Sequence, residues 1–228
     1  MDKRTFVLRS FAAIAGSYDL VNTLLSLGAD VWWRREAIMV LDLSDKGLVL
    51  DCCAGTMRLG KGVISQWPGS RVVALDFSLV MLARGIKRSN NAAICPLGGD
   101  AERLPFRDET FDRAIVGFGI RNLAYPQKGI GELFRVVKQG GRVVIMEFGR
   151  PTLPVFKEIY QWYLSRFIPW AGGLVSGQKE VYHYLHTSIM AFPEPAAMMA
   201  MMRKAGFSHI SFRKLTSGIV NLYIGNKA

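Results

Sequence analysis

Three aspartates, Asp51, Asp76 and Asp100, stand beyond successive short apolar runs, each followed by a turn and a helical pattern. In an open α/β sheet the residues just past the strand ends face the ligand. Asp76 lies 21 residues beyond Gly55, where an acid accepts hydrogen bonds from both hydroxyls of a ribose. The turn after the first run, Asp51-Cys52-Cys53-Ala54-Gly55-Thr56, continues with Met57 and Arg58 before Gly60. It therefore lacks the GxGxxG turn that a dinucleotide pyrophosphate requires. Acids without a phosphate cradle suit a cationic nucleoside such as S-adenosylmethionine, with Asp51 near its amino-acid end, Asp76 at the ribose and Asp100 near the adenine amino group. Gly55, Thr56, Phe77, Ala101 and Gly117 stand at the same strand ends, on the expected ligand edge. Any one of these aspartates could be a helix cap or turn former; their recurrence at three strand ends favours the ligand.

The elements that must hold these residues follow from the apolar spacing. Strands are expected at residues 48–50, 71–75, 92–94, 113–116 and 142–147, with helices at 59–66, 79–87 and 129–137 between them. Alternating strands and crossover helices imply a parallel, doubly wound sheet. Residues 207–212 and 219–224 are strand-like and separated by a polar stretch too short for a crossover, so they should pair antiparallel. Residues 1–46 and 151–206 are helical by pattern and are expected to cap the ligand edge, the second as a lid insertion. One domain spanning residues 1–228 is the economical reading.

The chain has 228 residues, half of them hydrophobic, enough for a full core. Its 29 Lys and Arg against 18 Asp and Glu give a net charge of +11, which favours anionic partners without selecting a fold. Cys52, Cys53 and Cys95 fit neither a disulfide framework nor a CxxC metal clamp, and a reducing cytoplasm is expected. Arg9 interrupts the first apolar stretch, so no export signal is read. Residues 154–175 are broken by Lys157, Glu158, Arg166 and Pro169, which excludes a membrane span. His183 and His186 lack an accompanying carboxylate motif, so no metal is expected, and His209 should lie on a surface edge strand.

The sequence resembles the ubiquinone/menaquinone biosynthesis C-methyltransferases over nearly its whole length. The resemblance rests on Tyr18-Asp19-Leu20-Val21-Asn22, Trp33-Arg34-Arg35, the Asp51 to Thr56 turn, Asp100-Ala101-Glu102-Arg103-Leu104-Pro105-Phe106 and Phe118-Gly119-Ile120-Arg121-Asn122. It continues through Glu147-Phe148, Tyr182-His183-Tyr184-Leu185 and Leu215-Thr216-Ser217-Gly218-Ile219-Val220. It implies a Rossmann-like class I methyltransferase with five parallel strands, a C-terminal antiparallel pair and helical caps at the ligand edge. It further implies methyl transfer from S-adenosylmethionine to a ring carbon of a polyprenylated hydroquinone, as when demethylmenaquinol becomes menaquinol.

Within that resemblance, Arg121 would stabilise a developing phenolate and Asn122 would orient the ring. Tyr18 would add a hydrogen bond from the N-terminal cap, unless it is only a packed aromatic. Tyr182 and Tyr184 would contact the acceptor. Met57 stands where the family has a third glycine, Arg58 where it has an acid, and Gly117 where it has a serine. Met57 is expected to strain or shift the donor loop and weaken binding. Arg58 is expected to bring positive charge near the sulfonium unless its stem carries the head into solvent. The aromatics of residues 160–184 and the methionines Met190, Met198, Met199, Met201 and Met202 read either as helix core or as the lining of a wide apolar groove. The groove fits a prenyl tail, and an anionic membrane surface is the expected peripheral partner. Nucleic acid is disfavoured because the basic residues are scattered. A homo-oligomer, a binding protein that keeps this fold without turnover, and a different lipid or phenol acceptor all stay open.

Overall fold

Runs of Val, Leu and Ile form five strands, β1 (Leu48–Cys52), β2 (Arg71–Asp76), β3 (Ile94–Gly98), β4 (Phe111–Gly117) and β5 (Val137–Phe148). They lie parallel in the order β3-β2-β1-β4-β5. The computed structural model describes all residues except Met1, Asp45, Ser89, Asn90 and Thr152, and only the backbone of Val175 and Ser176. The helices α4 (Arg58–Gln66), α5 (Leu79–Arg88) and α6 (Pro126–Val136) make the crossovers. Beyond β5 the strands β6 (Ser208–Leu215) and β7 (Val220–Asn226) complete a seven-stranded sheet, with β7 antiparallel to both β5 and β6.

Neighbouring residues on a strand point to opposite faces, and the core divides accordingly. Val49 packs with Val63, Val72, Ile115 and Val144 on one face. Leu50 packs with Leu75, Ala114, Ile130 and Leu133 on the other. Both faces are therefore covered, as a parallel sheet demands, and each such side chain contributes about 1.5–3 kcal/mol by leaving water.

Three helices precede the sheet, α1 (Lys3–Ile14), α2 (Tyr18–Leu25) and α3 (Ala29–Met39). Asp2 caps α1 by accepting from the Thr5 N–H at 2.7 Å. Between β5 and β6 run α7 (Pro154–Trp162), α8 (Ile168–Ser176), α9 (Lys179–Ala191) and α10 (Pro195–Ala205). A wider helical turn over Tyr163–Phe167 joins α7 to α8. Val21 of α2 meets Tyr160, Leu164, Ile168, Tyr182 and Ile189 in a third, smaller core.

Two expectations need correction. The third strand is Ile94–Gly98 rather than residues 92–94. Pro96, which argues against a central strand, is tolerated because β3 is the sheet edge and its missing N–H costs no ladder bond there. The methionines do not line a groove. Met198 and Met202 are wholly buried with Phe192, Phe207 and Tyr223 against the sheet, and Met199 and Met201 pack beside them. Thus α10 belongs to the layer covering the sheet, and the cap over the ligand edge consists of α7 to α9. His209 is exposed on edge strand β6.

Candidate active site

Two cavities open at the carboxyl edge of the parallel strands; the loops after β1 and β2 border the first, and the segment after β4 borders both. The loop after β1 bends through positive φ at Cys53, Gly55 and Met57 (58°, 54° and 60°). The segment after β4 comes so close to it that a Cβ on Gly119 would lie 2.4 Å from Cys53 Cβ, which requires glycine there.

The first cavity, about 90 Å³, is bounded by Gly55, Asp76, Phe77, Asp100, Ala101 and Gly117, with Arg4, Glu102 and Asn122 among its other neighbours. Asp76 is held by two backbone donors, the Gly55 N–H and the Ser78 N–H, both at 2.8 Å. Burial raises its pKa while these two N–H groups pull the other way. Arg4 of α1 pairs with Asp100 at 2.8 Å and lies over the Phe77 ring. Among the described residues Arg4 is the only cation on this wall, against Asp76, Asp100 and Glu102. That donor set repels phosphate and suits hydroxyls, an amine and a sulfonium, so the residues fit S-adenosylmethionine.

Two expected donor contacts lie elsewhere. Thr56 is buried and donates to Asp19 of α2 at 2.7 Å, tying the cap to the loop; it is not on the cavity wall. Asp51 is also absent from the wall. It is fully buried, its Oδ2 accepts from the Gly60 N–H at 2.8 Å, and its Oδ1 has no hydrogen-bond partner among the described residues. Burial pushes its pKa up to about 7, opposed by the Gly60 N–H and Arg34 and assisted by Asp76.

With the folded value above the usual 3.8, the folded chain holds an extra proton between those two pH values. Stability from this source is complete below about pH 4 and is lost as pH rises through about 7. Asp51→Asn, which cannot ionise, should flatten that decline. Urea midpoints that fall equally in wild type and variant from about pH 5 to about pH 8 would refute this reading.

The structure also changes the expectations for Met57 and Arg58. Met57 takes the left-handed conformation that a glycine would take, so the loop turns as it would with glycine. The cost is about 1–2 kcal/mol. Its side chain is buried away from the cavity, and a Cβ on Gly85 of α5 would lie 2.7 Å from its Cε. Burial of the thioether offsets the strain by about 2 kcal/mol. Arg58 does not reach the first cavity, and its side chain is only partly exposed. Its guanidinium pairs with buried Asp30 of α3 at 2.5 Å and donates to Thr23 at 3.3 Å.

The second cavity, about 300 Å³, lies between the N-terminal cap and α7 to α9. Its wall is mostly aromatic and aliphatic, with Arg121, Tyr182, Tyr184 and Tyr160 on it. Phe11, Tyr18 and Phe118 border both cavities. Arg121, on the short turn after β4, is buried and pairs with the fully buried Glu147 at the end of β5 at 2.6 Å. Glu147 also accepts from the Arg121 and Phe148 N–H groups at 3.2 and 2.9 Å. The Arg121 guanidinium stands 5.2 Å from the Phe148 ring centroid, Phe148 stacks on Phe118 at 4.4 Å, and Arg34 lies 5.5 Å from the Phe118 centroid. Two cations thus flank a stacked aromatic pair. Asn122 donates to the Phe118 carbonyl at 3.2 Å and accepts from the Tyr184 hydroxyl at 3.2 Å, which fixes its amide. Burial raises the Tyr184 pKa, so it stays a donor.

Glu147, Tyr160, Arg34 and Asp30 were not among the expected site residues. Only Glu147 carried a usable sign, a lone carboxylate inside an apolar strand, since such a group is rarely buried unless paired. Among the described residues no group of three or more His, Cys, Asp and Glu side chains could hold a metal, and no helix is long and apolar enough to cross a membrane. The three cysteines are free thiols, and a hydrogen bond with Cys52 together with burial raises the Cys53 pKa, so its thiol is not primed as a nucleophile.

The sequence model of the ubiE/COQ5 methyltransferase family matches residues 1–227. The ubiquinone/menaquinone biosynthesis C-methyltransferase UbiE of Geobacter sp. (strain M21) is 40% identical over 222 residues, covering 95% of this chain and 94% of that protein. The demethylmenaquinone methyltransferase of Thermus thermophilus is 41% identical over 220 residues, covering 95% and 99%. The crystal structure of a SAM-dependent methyltransferase from Thermotoga maritima, described as a possible histamine N-methyltransferase, superposes with a TM-score of 0.69. It covers 96% of this chain and 99% of that one at 19% identity, a likeness of fold.

Proposed function

Since the chain belongs to the ubiE/COQ5 methyltransferase family, we propose that its carboxylate-lined cavity takes S-adenosylmethionine and its apolar cavity a polyprenylated quinol. The methyl group passes from the first to a ring carbon of the second. The chain is an S-adenosylmethionine-dependent C-methyltransferase of ubiquinone/menaquinone biosynthesis. The observation that carries the assignment of the two cavities is their shared border of Phe11, Tyr18 and Phe118. A ring in the apolar cavity abuts whatever fills the polar one.

When bound, S-adenosylmethionine supplies an electrophilic methyl on a cationic sulfur. The side chains do the rest. Asp76 accepts from the ribose hydroxyls, and Asp100 faces the adenine end once Arg4 yields it. Arg121, fixed by Glu147, places positive charge beside the quinol oxygen and draws its pKa down from about 10. The resulting phenolate raises electron density on the neighbouring ring carbon, which would take the methyl as the sulfur–methyl bond breaks with its electron pair left on sulfur as a neutral thioether, and would then lose its hydrogen as a proton to solvent. Tyr18, on the shared border, orients the ring, Asn122 acts from the first cavity by holding the Tyr184 hydroxyl, and Tyr182 and Tyr184 border the acceptor. Holding both partners at near-attack distance accounts for about 7 kcal/mol or more of the barrier.

The acceptor's tail is insoluble, so the enzyme must meet it at a bilayer. Leu27 is 91% exposed at the mouth of the apolar cavity, and Trp162 and Trp170 on the adjoining ridge are each 59% exposed. With a net charge of +11, this face supports peripheral docking on anionic lipid. Sedimentation should favour anionic over neutral vesicles; equal binding removes the idea.

Incubation with methyl-labelled S-adenosylmethionine and a membrane lipid extract tests the function. Label should enter the quinone pool. Label in another lipid or phenol instead would reassign the acceptor, and no label anywhere would favour a binding protein.

A further inference from the structure

Resting on the acceptor assignment above, we propose that the Tyr160 hydroxyl and the Arg121 Nε–H together bind one ring oxygen of the acceptor. Both atoms are buried, neither has a hydrogen-bond partner among the described residues, and both residues border the apolar cavity. An unpaired buried polar atom is rare enough to need a reason. Two on one cavity wall share a reason if a ligand atom completes them.

The chemistry of the pair defines that atom. The guanidinium N–H can only donate. Burial, which outweighs the Arg121 charge, raises the Tyr160 pKa and keeps its hydroxyl protonated. Several of the other polar groups on this wall are already paired. Tyr163 donates to the Leu25 carbonyl at 2.6 Å, Tyr184 to Asn122, Arg121 Nη1 to Glu147, and Asp30 pairs with Arg58 and Arg34. Two donors on one cavity wall therefore fit an oxygen that bears no proton, a phenolate in preference to a phenol. The site selects the ionised quinol, the form whose ring carbon is nucleophilic.

Tyr160→Phe tests this because it removes an oxygen with no partner in the free enzyme. Its melting temperature should equal or exceed that of wild type. With a short-chain demethylmenaquinol, kcat/KM should fall roughly tenfold, donor affinity should stay unchanged, and the acid limb of the pH–rate profile should move up by about one pH unit as the bound phenolate loses a donor. A lower melting temperature would show that the hydroxyl was already paired, and unchanged quinol kinetics and pH profile would show that it does not touch the acceptor. Either result overturns the proposal. If wild-type enzyme does not methylate the quinol at all, the acceptor assignment itself fails and this proposal falls with it.

Discussion

Arg121→Ala should reduce methyl transfer by at least about a hundredfold and lower the melting temperature by roughly 10 °C. Two separate losses combine in that result. The first is the charge beside the quinol oxygen, without which the phenolate forms in a largely apolar cavity with no counter-charge. The second is structural. Glu147 is 0% exposed and relies on the guanidinium at 2.6 Å, and stranding one partner of a buried ion pair costs about 3–5 kcal/mol. A second substitution separates the two losses. Glu147→Gln added to Arg121→Ala removes the stranded charge while keeping an acceptor for the Phe148 N–H, so stability should largely return while activity stays low. Activity that recovers along with stability would mean that Arg121 only holds the fold.

Asp76→Ala should raise the dissociation constant for S-adenosylmethionine by more than about a hundredfold, measured by calorimetry. Two hydrogen bonds from ribose hydroxyls to a carboxylate are together worth about 3 kcal/mol or more. The same carboxylate also ties the loop after β1 to the start of the turn after β2 through Gly55 and Ser78, so its removal loosens the cavity wall as well. Asp76→Asn keeps one carbonyl acceptor and the shape, and should bind about tenfold better than Asp76→Ala. A donor affinity unmoved by either substitution would place the ribose elsewhere.

The wall of the first cavity was largely legible in the sequence because strand ends are marked locally. An apolar run, an acid and a turn residue are consecutive, and Asp76, Gly55 and Asp100 needed only that order to be placed. Asp51 shows the limit of the same rule, since an acid at a strand end can equally turn inward to hold a helix N-terminus, as it does with the Gly60 N–H. Thr56 failed for a related reason, because its partner Asp19 comes from the distant cap. The acceptor side depends on long-range meetings that no spacing announces. Arg121 finds Glu147 because β4 and β5 are neighbours, Arg58 finds Asp30 across two elements, and Tyr160 shares a cavity wall with Arg121 only once α7 folds over the sheet. The methionines misled because a flexible apolar side chain fits a core and a groove equally well; only the placement of α10 against the sheet decides between them.

The ion pairs that fasten the N-terminal cap differ in their contact with solvent, and ionic strength should sort them. Arg4 pairs with Asp100 through a side chain that is 59% exposed, whereas Arg58 meets an Asp30 that is 4% exposed. Added salt shortens the screening length from about 10 Å at 0.1 M to about 3 Å at 1 M and weakens exposed pairs first. Helix α1 should therefore release before α2 and α3 do. Exchange of spent donor for fresh, measured by stopped-flow, should then quicken with salt through loss of the Arg4 pair before the Arg58 pair weakens.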